Sequence, residues 1–387
     1  MQLARQHSPA LAVARANIPQ SQAQVITAGL RPNPVLAWDA LFVPLFDPHD
    51  FTGAYLNNST ELDASVAFTI ERGHKRQARL QAARDATTVV ADQTRDSARA
   101  LTFNVAQAYL AALLARSSLQ FARQDLASWQ STLQISQARY QAGSISLADL
   151  DAIQLQQLQF QSTVSADTLA RQQARTQLEQ QVGMGVLPAH FALAGTLQFQ
   201  PVQGNAQDLQ LLALKNRPDL QAAQAGVVAA LSQHQLALAD GKRDLTTTAQ
   251  YTHVSAANNI GFLFSIEIPV FDRNQGEIAR TAAATVQARD FERQNHDQVL
   301  ADVATAFQAV QQGATVVKLY TSGYRQQAKQ ALDIRQYAYQ RGASSLLDLL
   351  DAERTYRSTE LGYRQALATY MLAVEQLKEA VGTRNLP

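Results

Sequence analysis

The feature that most constrains this chain is the segment 74–142, which contains neither glycine nor proline. These residues interrupt helices more strongly than any others, and a helix rises about 1.5 Å per residue, so the segment predicts one uninterrupted helix of roughly 100 Å. Apolar and small residues recur along its second half in alternating steps of four and three: Leu101, Val105, Ala108, Ala112, Ala115, Leu119, Ala122, Leu126, Trp129, Leu133, Ser136 and Tyr140. This heptad spacing is typical of long helices that pack side by side.

The amino-acid composition also favours long, thin helices over a thick core. The chain contains 67 alanines and 49 glutamines, so much of its 46% hydrophobic content comes from alanine. Alanine buries little surface when it packs. A β-sandwich would need turn residues about every 8–12 positions, whereas the glycines and prolines here are few and unevenly placed. We therefore predict a mainly α fold with a small β part.

Charge and motif content exclude several classes of function. Lys and Arg total 33 against 32 Asp and Glu, so the net charge of +1 provides no basic field for a nucleic-acid partner. The chain has no cysteine, which excludes disulfides, cysteine-based zinc sites and thiol nucleophiles. The seven histidines form no H-x-x-x-H or H-x-H pair, and no phosphate-binding or nucleophile motif occurs. We expect no enzyme activity, no catalytic residue, no cofactor and no metal site.

No segment of the sequence resembles a membrane-spanning helix or a secretion signal. A transmembrane helix needs about 18 or more consecutive apolar residues, and no such run occurs. Residues 1–15 lack the apolar core of a signal peptide. The expectation is either a cytosolic protein or a chain that lacks its natural start.

Two pairs of similar segments indicate that the chain repeats itself once. Residues 3–16 match residues 212–225, and YQAGSISLADL at 140–150 matches YQRGASSLLDL at 339–349. Similarity at a nearly constant spacing is typical of two copies of one structural unit. The chain is therefore predicted to be one protomer that contains two tandem structural repeats.

Each repeat is predicted to contain two strands followed by two long helices. Within the protomer 1–387, the first repeat covers 1–200, with strands at about 34–44 and 61–71 and helices at about 74–141 and 147–182. The second covers 208–387, with strands at about 244–254 and 260–270 and helices at about 275–341 and 346–381. The apolar stripe of helix 275–341 is predicted on Val299, Val303, Ala306, Val310, Gly313, Val317, Tyr320, Tyr324, Gln327, Ala331, Ile334 and Ala338. Its phase differs by one residue from that of the repeat alignment, so the two stripes need not be equivalent.

The strands are predicted from alternating apolar and polar residues. One apolar row contains Leu62, Ala64, Val66, Phe68 and Ile70, and another contains Phe262, Phe264, Ile266, Ile268 and Val270. Such alternation is typical of strands with one apolar face, and about ten residues also suffice to cross a bilayer as a tilted strand. Two alternatives remain open, namely soluble hairpins packed on the helices or membrane strands. Because a closed barrel needs about eight or more strands, membrane strands would require several chains.

The two similar segments at 140–150 and 339–349 are predicted to form the tips of helical hairpins. Gly143 and Gly342 suit the left-handed conformation that ends many helices. The S-x-x-D spacing that follows each glycine predicts a capping box at the start of the next helix.

Four features together resemble the TolC-like outer-membrane efflux proteins. They are the two-fold repeat, NRPDLQAAQA at 216–225, IPVFDRNQGEIARTAAA at 268–284 and the YxxGxxSxxDL tips. The segments 268–284 and IERGHKRQARLQAA at 70–83 are most similar to the CzcC-like branch, which is associated with heavy-metal efflux of the resistance-nodulation-division type. The resemblance covers nearly the whole chain.

The resemblance implies a homotrimer whose pooled strands form a twelve-stranded β-barrel in the lipid of the outer membrane of a Gram-negative bacterium. The helices would form a barrel in the periplasm, with an equatorial belt from residues 183–207 and the C-terminal end. The helical tips would dock on a periplasmic adaptor (a membrane fusion protein), which links them indirectly to an inner-membrane resistance-nodulation-division pump. The protein would be a passive exit duct for heavy-metal cations. The alternatives are a duct for drugs or other organic compounds, or a soluble coiled-coil scaffold.

The resemblance also assigns roles to individual residues. The channel gate would comprise Tyr339, Asp348, Asp351 and Asp149, with rings of aspartate that favour cations over anions. The adaptor would dock on Gly143, Ser146, Leu147, Gly342, Ser345 and Leu346. The lipid-facing strand residues would be Leu62, Val66, Phe68, Phe262, Phe264 and Ile266. Ser344 stands where some members of the family have an arginine that locks the closed state, so the resemblance does not carry that arginine lock over to this chain.

Overall fold

The computed structural model describes residues 1–47, 49 and 51–386, which form a mainly helical protein with one small sheet. The first half of the chain contains α1 (Gln2–His7), α2 (Pro9–Ala28), β1 (Val35–Leu41), α3 (Gly53–Asn58), β2 (Glu61–Ile70), α4 (Lys75–Gln141) and α5 (Leu147–Val182). The second half contains α6 (Ala206–Asn216), α7 (Pro218–Asp240), β3 (Leu245–Val254), β4 (Ala257–Ile266), α8 (Gln275–Leu319), α9 (Arg325–Gln340) and α10 (Leu346–Val381). The predicted fold class, mainly α with a small β part, is confirmed.

The chain divides into two compact units, and each unit combines segments from both halves of the sequence. The first unit consists of Met1–Arg15, Thr94–Pro218 and His296–Pro387, and it contains both helical hairpin tips. The second consists of Ala16–Gln93 and Asp219–Asn295, and it contains the sheet.

The sheet is antiparallel, with the strand order β1-β2-β3-β4. β2 lies beside β3 with Leu62 opposite His253, so the hairpins of the two sequence repeats form one continuous sheet. Ser255 and Ala256 join β3 to β4 with φ angles of 52° and 60°, as in the tight hairpin turns that match strand twist. The strand patterns predicted both hairpins but contained no sign of the β2–β3 pairing.

Two strands end earlier than their alternation predicts. β1 ends at Leu41 rather than near 44, because Phe42 has a left-handed φ of 59° that interrupts the extended backbone. The last strand, predicted at 260–270, ends at Ile266, because this residue pairs with Leu245, the first residue of β3. The final predicted residues of both strands therefore lie outside the sheet.

The helices α4, α5 and α10 begin and end within one residue of the positions expected from the flanking glycines and capping residues. The predicted stripe of α4 is buried along most of its length, for example at Val105, Leu119 and Trp129. Only its last member, Tyr140, is exposed. In the part of the chain that the structure describes, no helix has an apolar stretch of the length that a bilayer crossing requires.

The second repeat differs from the prediction because its first long helix is interrupted. A continuous helix was expected at 275–341, but α8 ends at Leu319 and a π-helical turn, Tyr320–Tyr324, leads into α9. Within this turn Gly323 has a φ of 120°, which side chains other than that of glycine rarely permit. A π-helical turn accommodates one extra residue, so it rotates the helix that follows.

The interruption explains why the predicted stripe is wrong beyond the π-helical turn. The buried residues of α9 are Leu332 and Tyr339, each one position after a predicted member, Ala331 or Ala338. Ile334, which was also predicted on the stripe, is 67% exposed. The one-residue phase difference between the sequence repeats therefore corresponds to the one extra residue in the π-helical turn.

Candidate functional site

The helical hairpins α4–α5 and α9–α10 end in tips of the same design. Gly143 and Gly342 have φ angles of 71° and 75°, a conformation that costs glycine little. In each tip the N–H of the next residue donates back to a carbonyl oxygen of the last helical turn at 2.8 Å, which satisfies an acceptor that the helix end would leave free. The predicted glycine-terminated tips are confirmed.

Each tip continues into a helix that begins with a capping box. In α5, Asp149 N–H donates to Ser146 Oγ at 3.1 Å, and Ser146 N–H donates to the Asp149 carboxylate at 3.3 Å. In α10, Asp348 N–H donates to Ser345 Oγ at 3.2 Å, and Ser345 N–H donates to the Asp348 carboxylate at 3.3 Å. Both predicted capping boxes are confirmed, and they fix the positions of the two carboxylates.

Two of the acids predicted for the gate, Asp348 and Asp351, are exposed in the first two turns of α10. Hydrogen bonds from the Ser345 side chain, the Ser345 N–H and the Ser344 side chain hold the pKa of Asp348 below its ordinary value. Asp351 accepts a hydrogen bond from Arg354 at 2.7 Å. The second tip therefore presents two carboxyl groups to solvent at fixed positions.

Tyr339, the aromatic residue predicted for the gate, is buried within the protomer and only 3% exposed. Its hydroxyl lies 3.2 Å from Ser136 Oγ of α4. Arg139, also of α4, donates to the Tyr339 carbonyl oxygen at 2.6 Å and lies 5.0 Å from the centroid of its ring. Tyr339 therefore joins the first hairpin to the second and does not project freely from the tip.

Arg139 is a residue of this site that the sequence interpretation missed. In the family pattern the arginine lies on the second tip, where this chain has Ser344. Arg139 lies on the first tip, four residues before Gly143, and was interpreted only as part of a long helix. Its spacing to the glycine was visible, but its contact with Tyr339 depends on the packing of two segments far apart in sequence.

The leucines of the two tips differ in their exposure. Leu147 of the first tip is exposed, as expected for a docking residue. Leu346 of the second tip is half-buried against a cluster that contains Trp129, whereas its neighbour Leu347 is 76% exposed. The alignment of the tips predicted Leu346, but the exposed leucine of the second tip is Leu347.

The apolar cluster beneath the tips fixes the two hairpins against each other. It contains Trp129, Ile153, Phe160, Leu332, Tyr339 and Leu349. The indole N–H of Trp129 donates to the carbonyl oxygen of Ile153 at 3.0 Å, and its ring lies 5.4 Å from that of Phe160. The tips are therefore supported by aromatic packing as well as by hydrogen bonds.

The strand register places the six residues predicted to face lipid on one face of the sheet. Directly opposed residues of antiparallel strands point to the same side, and the register pairs Phe68 with Thr247 and Thr247 with Phe264. By the same rule Leu36 and Trp38 of β1 lie on this face. The face is solvent-exposed over most of its area, with Phe262 at 73%. Apolar residues on this face are Leu36, Trp38, Ala40, Leu62, Ala64, Val66, Phe68, Ile70, Leu245, Ala249, Tyr251, Ile260, Phe262, Phe264 and Ile266.

The opposite face of the sheet carries most of the polar residues of the strands, beside apolar residues such as Val35, Leu41 and Leu263. It carries Asp39, Asp63, Ser65, Thr246, Thr248, Gln250, Thr252, Asn259 and Ser265. Thr252 donates a hydrogen bond to the carboxylate of Asp63 on the neighbouring strand. The exposure of its apolar face distinguishes this sheet from a hairpin packed on helices, whose apolar face would be covered by protein.

Charged residues also lie inside the helical packing of the first unit. Glu360 is buried and accepts hydrogen bonds from Arg325 at 2.9 Å and from Arg364 at 2.6 Å. Despite burial, which opposes ionisation, these two arginines hold the pKa of Glu360 below its ordinary value. Among the described residues, no three histidine, aspartate or glutamate side chains are grouped so that they could hold a metal ion.

A sheet with one exposed apolar face is typical of strands that contact lipid, and in this chain it is combined with long helical hairpins. The family model described as "Outer membrane efflux protein" matches residues 1–184 and 210–383, and the chain belongs to this family. It is accordingly an outer-membrane efflux channel protein with the TolC-like fold.

Relatives and solved structures agree with this assignment. The chain is 28% identical to the pyoverdine export outer membrane protein OpmQ of Pseudomonas putida, covering 99% of this chain and 85% of OpmQ. It is 25% identical to the cobalt-zinc-cadmium resistance protein CzcC of Cupriavidus metallidurans, covering 80% and 74%. The structure of the outer membrane protein VceC of Vibrio cholerae has a TM-score of 0.80 at 20% identity, covering 99% of this chain and 95% of VceC.

Proposed function

We propose that three copies of this chain assemble into a passive exit duct across the outer membrane of a Gram-negative bacterium. Among the described residues, β1 and β4 each have one edge without a strand partner. Unpaired backbone groups are costly in lipid, and four strands are too few for a barrel, which needs about eight or more. Edge-to-edge pairing of several copies removes both problems. The family resemblance favours three copies, hence twelve strands.

The observation that carries the proposal is the continuous apolar face of the sheet. In water an exposed apolar surface of this size is unfavourable, whereas in a bilayer it replaces lipid–lipid contacts at little cost. On this account Leu62, Val66, Phe68, Phe262, Phe264 and Ile266 face lipid. The polar face then lines the water-filled interior.

Within each protomer we assign the ranges 1–200 and 208–387 to two tandem repeats. Both ranges contain two strands followed by two long helical segments, the first of which is interrupted by the π-helical turn in the second range, and this order supports the assignment. Residues 183–207, which contain no long helix, and the C-terminal end then form equatorial segments of the periplasmic helical barrel.

The second tip is the proposed gate of the duct. Three copies of Asp348 and Asp351 around a common axis would form rings of negative charge, and such rings favour cations and repel anions. Asp149 holds the first tip in shape through its capping box. Tyr339 contributes from within the protomer by joining the two hairpins. Its proposed role in the gate is to keep the tips together, and it does not block the pore with its own side chain.

The exposed parts of both tips are the proposed docking site for a periplasmic adaptor (a membrane fusion protein). The residues proposed to contact the adaptor are Gly143, Ser146 and Leu147 of the first tip and Gly342, Ser345 and Leu346 of the second. We add Leu347, because it is more exposed than the half-buried Leu346. The adaptor would link the duct to an inner-membrane resistance-nodulation-division pump, which supplies the energy.

For the cargo we propose heavy-metal cations, on the basis of the similarity to CzcC and the acid-bearing tip. The similarity to OpmQ, whose name specifies pyoverdine export, favours an organic compound as the second candidate. Deletion of the gene in its host distinguishes them: sensitivity to cobalt, zinc and cadmium supports the first, and retention of a secreted organic compound supports the second.

The duct itself is tested with the purified protein. We expect a trimer in detergent and discrete, cation-selective conductance steps when it is added to planar lipid bilayers. A stable monomer in detergent-free buffer, with no conductance in bilayers, would contradict the proposal.

A further inference from the structure

A pair of buried carboxyl groups lies between α4 and α10, apart from the exposed acids of the tips. Asp125 of α4 is 7% exposed and Glu353 of α10 is 8% exposed. Arg357, one helical turn after Glu353 on α10, forms an ion pair with Asp125, so Glu353 and Asp125 lie on facing sides of the two helices. Two buried carboxylates this close repel each other, and the repulsion is avoided when one of them carries a proton.

The surroundings leave this pair with a single cation. Arg357 Nε lies 2.8 Å from Asp125 Oδ2. Lys329 forms an ion pair with an exposed aspartate of its own helix, and Arg364 donates to Glu360. The titratable and charged groups that face the pair are Arg357, Arg364 and Tyr356 on α10, Lys329 on α9, and Asp167 on α5, which faces Arg357. One arginine balances one carboxylate, so the second carboxyl group is accommodated as the neutral acid.

The pKa values agree with this geometry. Burial, followed by the facing Asp125, raises the pKa of Glu353 to about 8, and burial also raises the pKa of Asp125. A glutamate in water has a pKa of about 4.3. Because Glu353 binds its proton more tightly in the packed state than in water, protonation favours packing. This stabilisation is complete at acid pH and is lost as the pH rises toward the pKa of the packed state.

We infer that Asp125 and Glu353 form a proton-binding site that holds α4 against α10 and regulates the opening of the tips. The inference rests on the proposed function, since it concerns the entrance of the same duct. Glu353 follows Asp351 by two residues, so this proton-binding site holds the part of α10 that carries the exposed acids. Loss of the proton leaves two adjacent carboxylates with one arginine. Their repulsion is relieved when the helices separate and water enters.

Glu360 provides a contrast within the same helix. It is as buried as Glu353, but two arginines contact it, and they keep it ionised. Burial alone therefore does not make a proton site in this bundle. The difference lies in the number of cations, which is two for Glu360 and one for the pair of Asp125 and Glu353.

The inference is tested by the pH dependence of the channel. Reconstituted trimers are compared in planar bilayers from about pH 6 to about pH 9, and one proton per protomer predicts that open probability rises up to about tenfold per pH unit within this range. Glu353→Gln mimics the neutral acid, so this variant should remain closed and lose that rise. Asp290→Asn, which removes an exposed carboxyl group of α8 that pairs with Arg293, should retain it. An equal pH response in wild type and Glu353→Gln would overturn the inference.

A second measurement does not depend on channel activity. The infrared band of a protonated carboxyl group should be present in the wild-type protein near neutral pH and absent in Glu353→Gln. If that variant fails to fold, Asp125→Asn serves instead, because it frees Arg357 to pair with Glu353 and should also remove the band. A band that persists in the folded variants would overturn the inference. Absence of conductance in every variant would contradict the proposed duct and leave the infrared result as the test of the proton site.

Discussion

Arg139 of α4 donates a hydrogen bond to the carbonyl oxygen of Tyr339 of α9 at 2.6 Å, while its guanidinium lies 5.0 Å from the centroid of the tyrosine ring. One side chain thus binds both the backbone and the ring of a residue 200 positions away in sequence. The contact joins the two hairpin tips of the same protomer. It supplies an arginine link between the tips although Ser344 occupies the position where some relatives have arginine.

Replacement of Arg139 by alanine should loosen the tips. A hydrogen bond from a charged group contributes about 1.5–3 kcal/mol, so we expect roughly a tenfold increase in open probability at the lower limit of this range. Single-channel recording in planar bilayers measures the effect. Arg123→Ala, at an exposed position of the same helix, is the matched control and should behave as wild type. If both variants open equally often, the contact does not hold the gate.

The exposed acids should control ion selectivity. Asp351→Asn, alone and with Asp348→Asn, should lower the preference for cations and weaken block by multivalent cations, since it removes negative charge from the entrance. Asparagine is chosen because it keeps an acceptor for the Ser345 N–H. Reversal potentials in a salt gradient measure selectivity, and values unchanged from wild type would remove these acids from the gate.

The selectivity should persist into acid solution. Hydrogen bonds from Ser345 and Ser344 lower the pKa of Asp348 below its ordinary value of 3.8, so its charge is present above that value and is lost only as the pH falls through the lowered pKa. Reversal potentials should therefore change little between neutral pH and about pH 4. Loss of selectivity at about pH 6 would show that other groups control it.

Adjacent residues of β4 provide a direct test of the two faces of the sheet. Phe264→Lys places a charge on the apolar face, where a lysine in mid-bilayer costs about 2–4 kcal/mol. Ser265→Lys places the same charge on the polar face and should be tolerated. The yield of heat-stable trimer from outer-membrane fractions should fall for the first variant only. Equal yields would indicate that lipid does not contact Phe264.

The π-helical turn requires a small residue on α10. A Cβ atom at Gly362 would collide with the hydroxyl group of Tyr320. Gly362→Ala should therefore lower thermal stability, with overpacking of this kind costing about 1–3 kcal/mol. Tyr320→Phe in the same chain should restore most of the loss. Gly226→Ala, where no atom lies near the new Cβ, is the control for the change of residue type. A destabilisation that Tyr320→Phe leaves unchanged would contradict this explanation.

Much of the fold was predictable from the sequence because its determinants are local. The absence of helix breakers fixed α4, and the glycines with their S-x-x-D followers fixed both tips. The alternation in β2 and β4 identified a sheet with one apolar face. These patterns depend on residues within one or two turns, or within one strand.

The features that were not predictable depend on contacts between distant segments. The pairing of β2 with β3 joins residues from opposite repeats, and nothing in either strand specifies its partner. The only sign of the π-helical turn in the sequence was the one-residue phase difference between the apolar stripe of helix 275–341 and the repeat alignment. The structure places Gly323, with its non-helical backbone, in this turn. The burial of Tyr339 and the pairing of Asp125 with Glu353 likewise require the packing of three helices. The motif that occurs at both tips therefore identified the region but not the contacts that hold it.

The central claim, a trimer closed by edge-to-edge pairing of sheets, can be tested with engineered disulfides, because the chain contains no cysteine of its own. Trp38→Cys on β1 is combined in turn with Ile260→Cys and Phe262→Cys on β4, and the trimer is oxidised and examined on denaturing gels. As a control, Ala64→Cys with Tyr251→Cys, which face each other within one protomer, should give only monomers. We predict a ladder of one, two and three chains for at least one β1–β4 pair. Complete absence of interchain bonds, or a ladder that continues beyond three, would contradict the account.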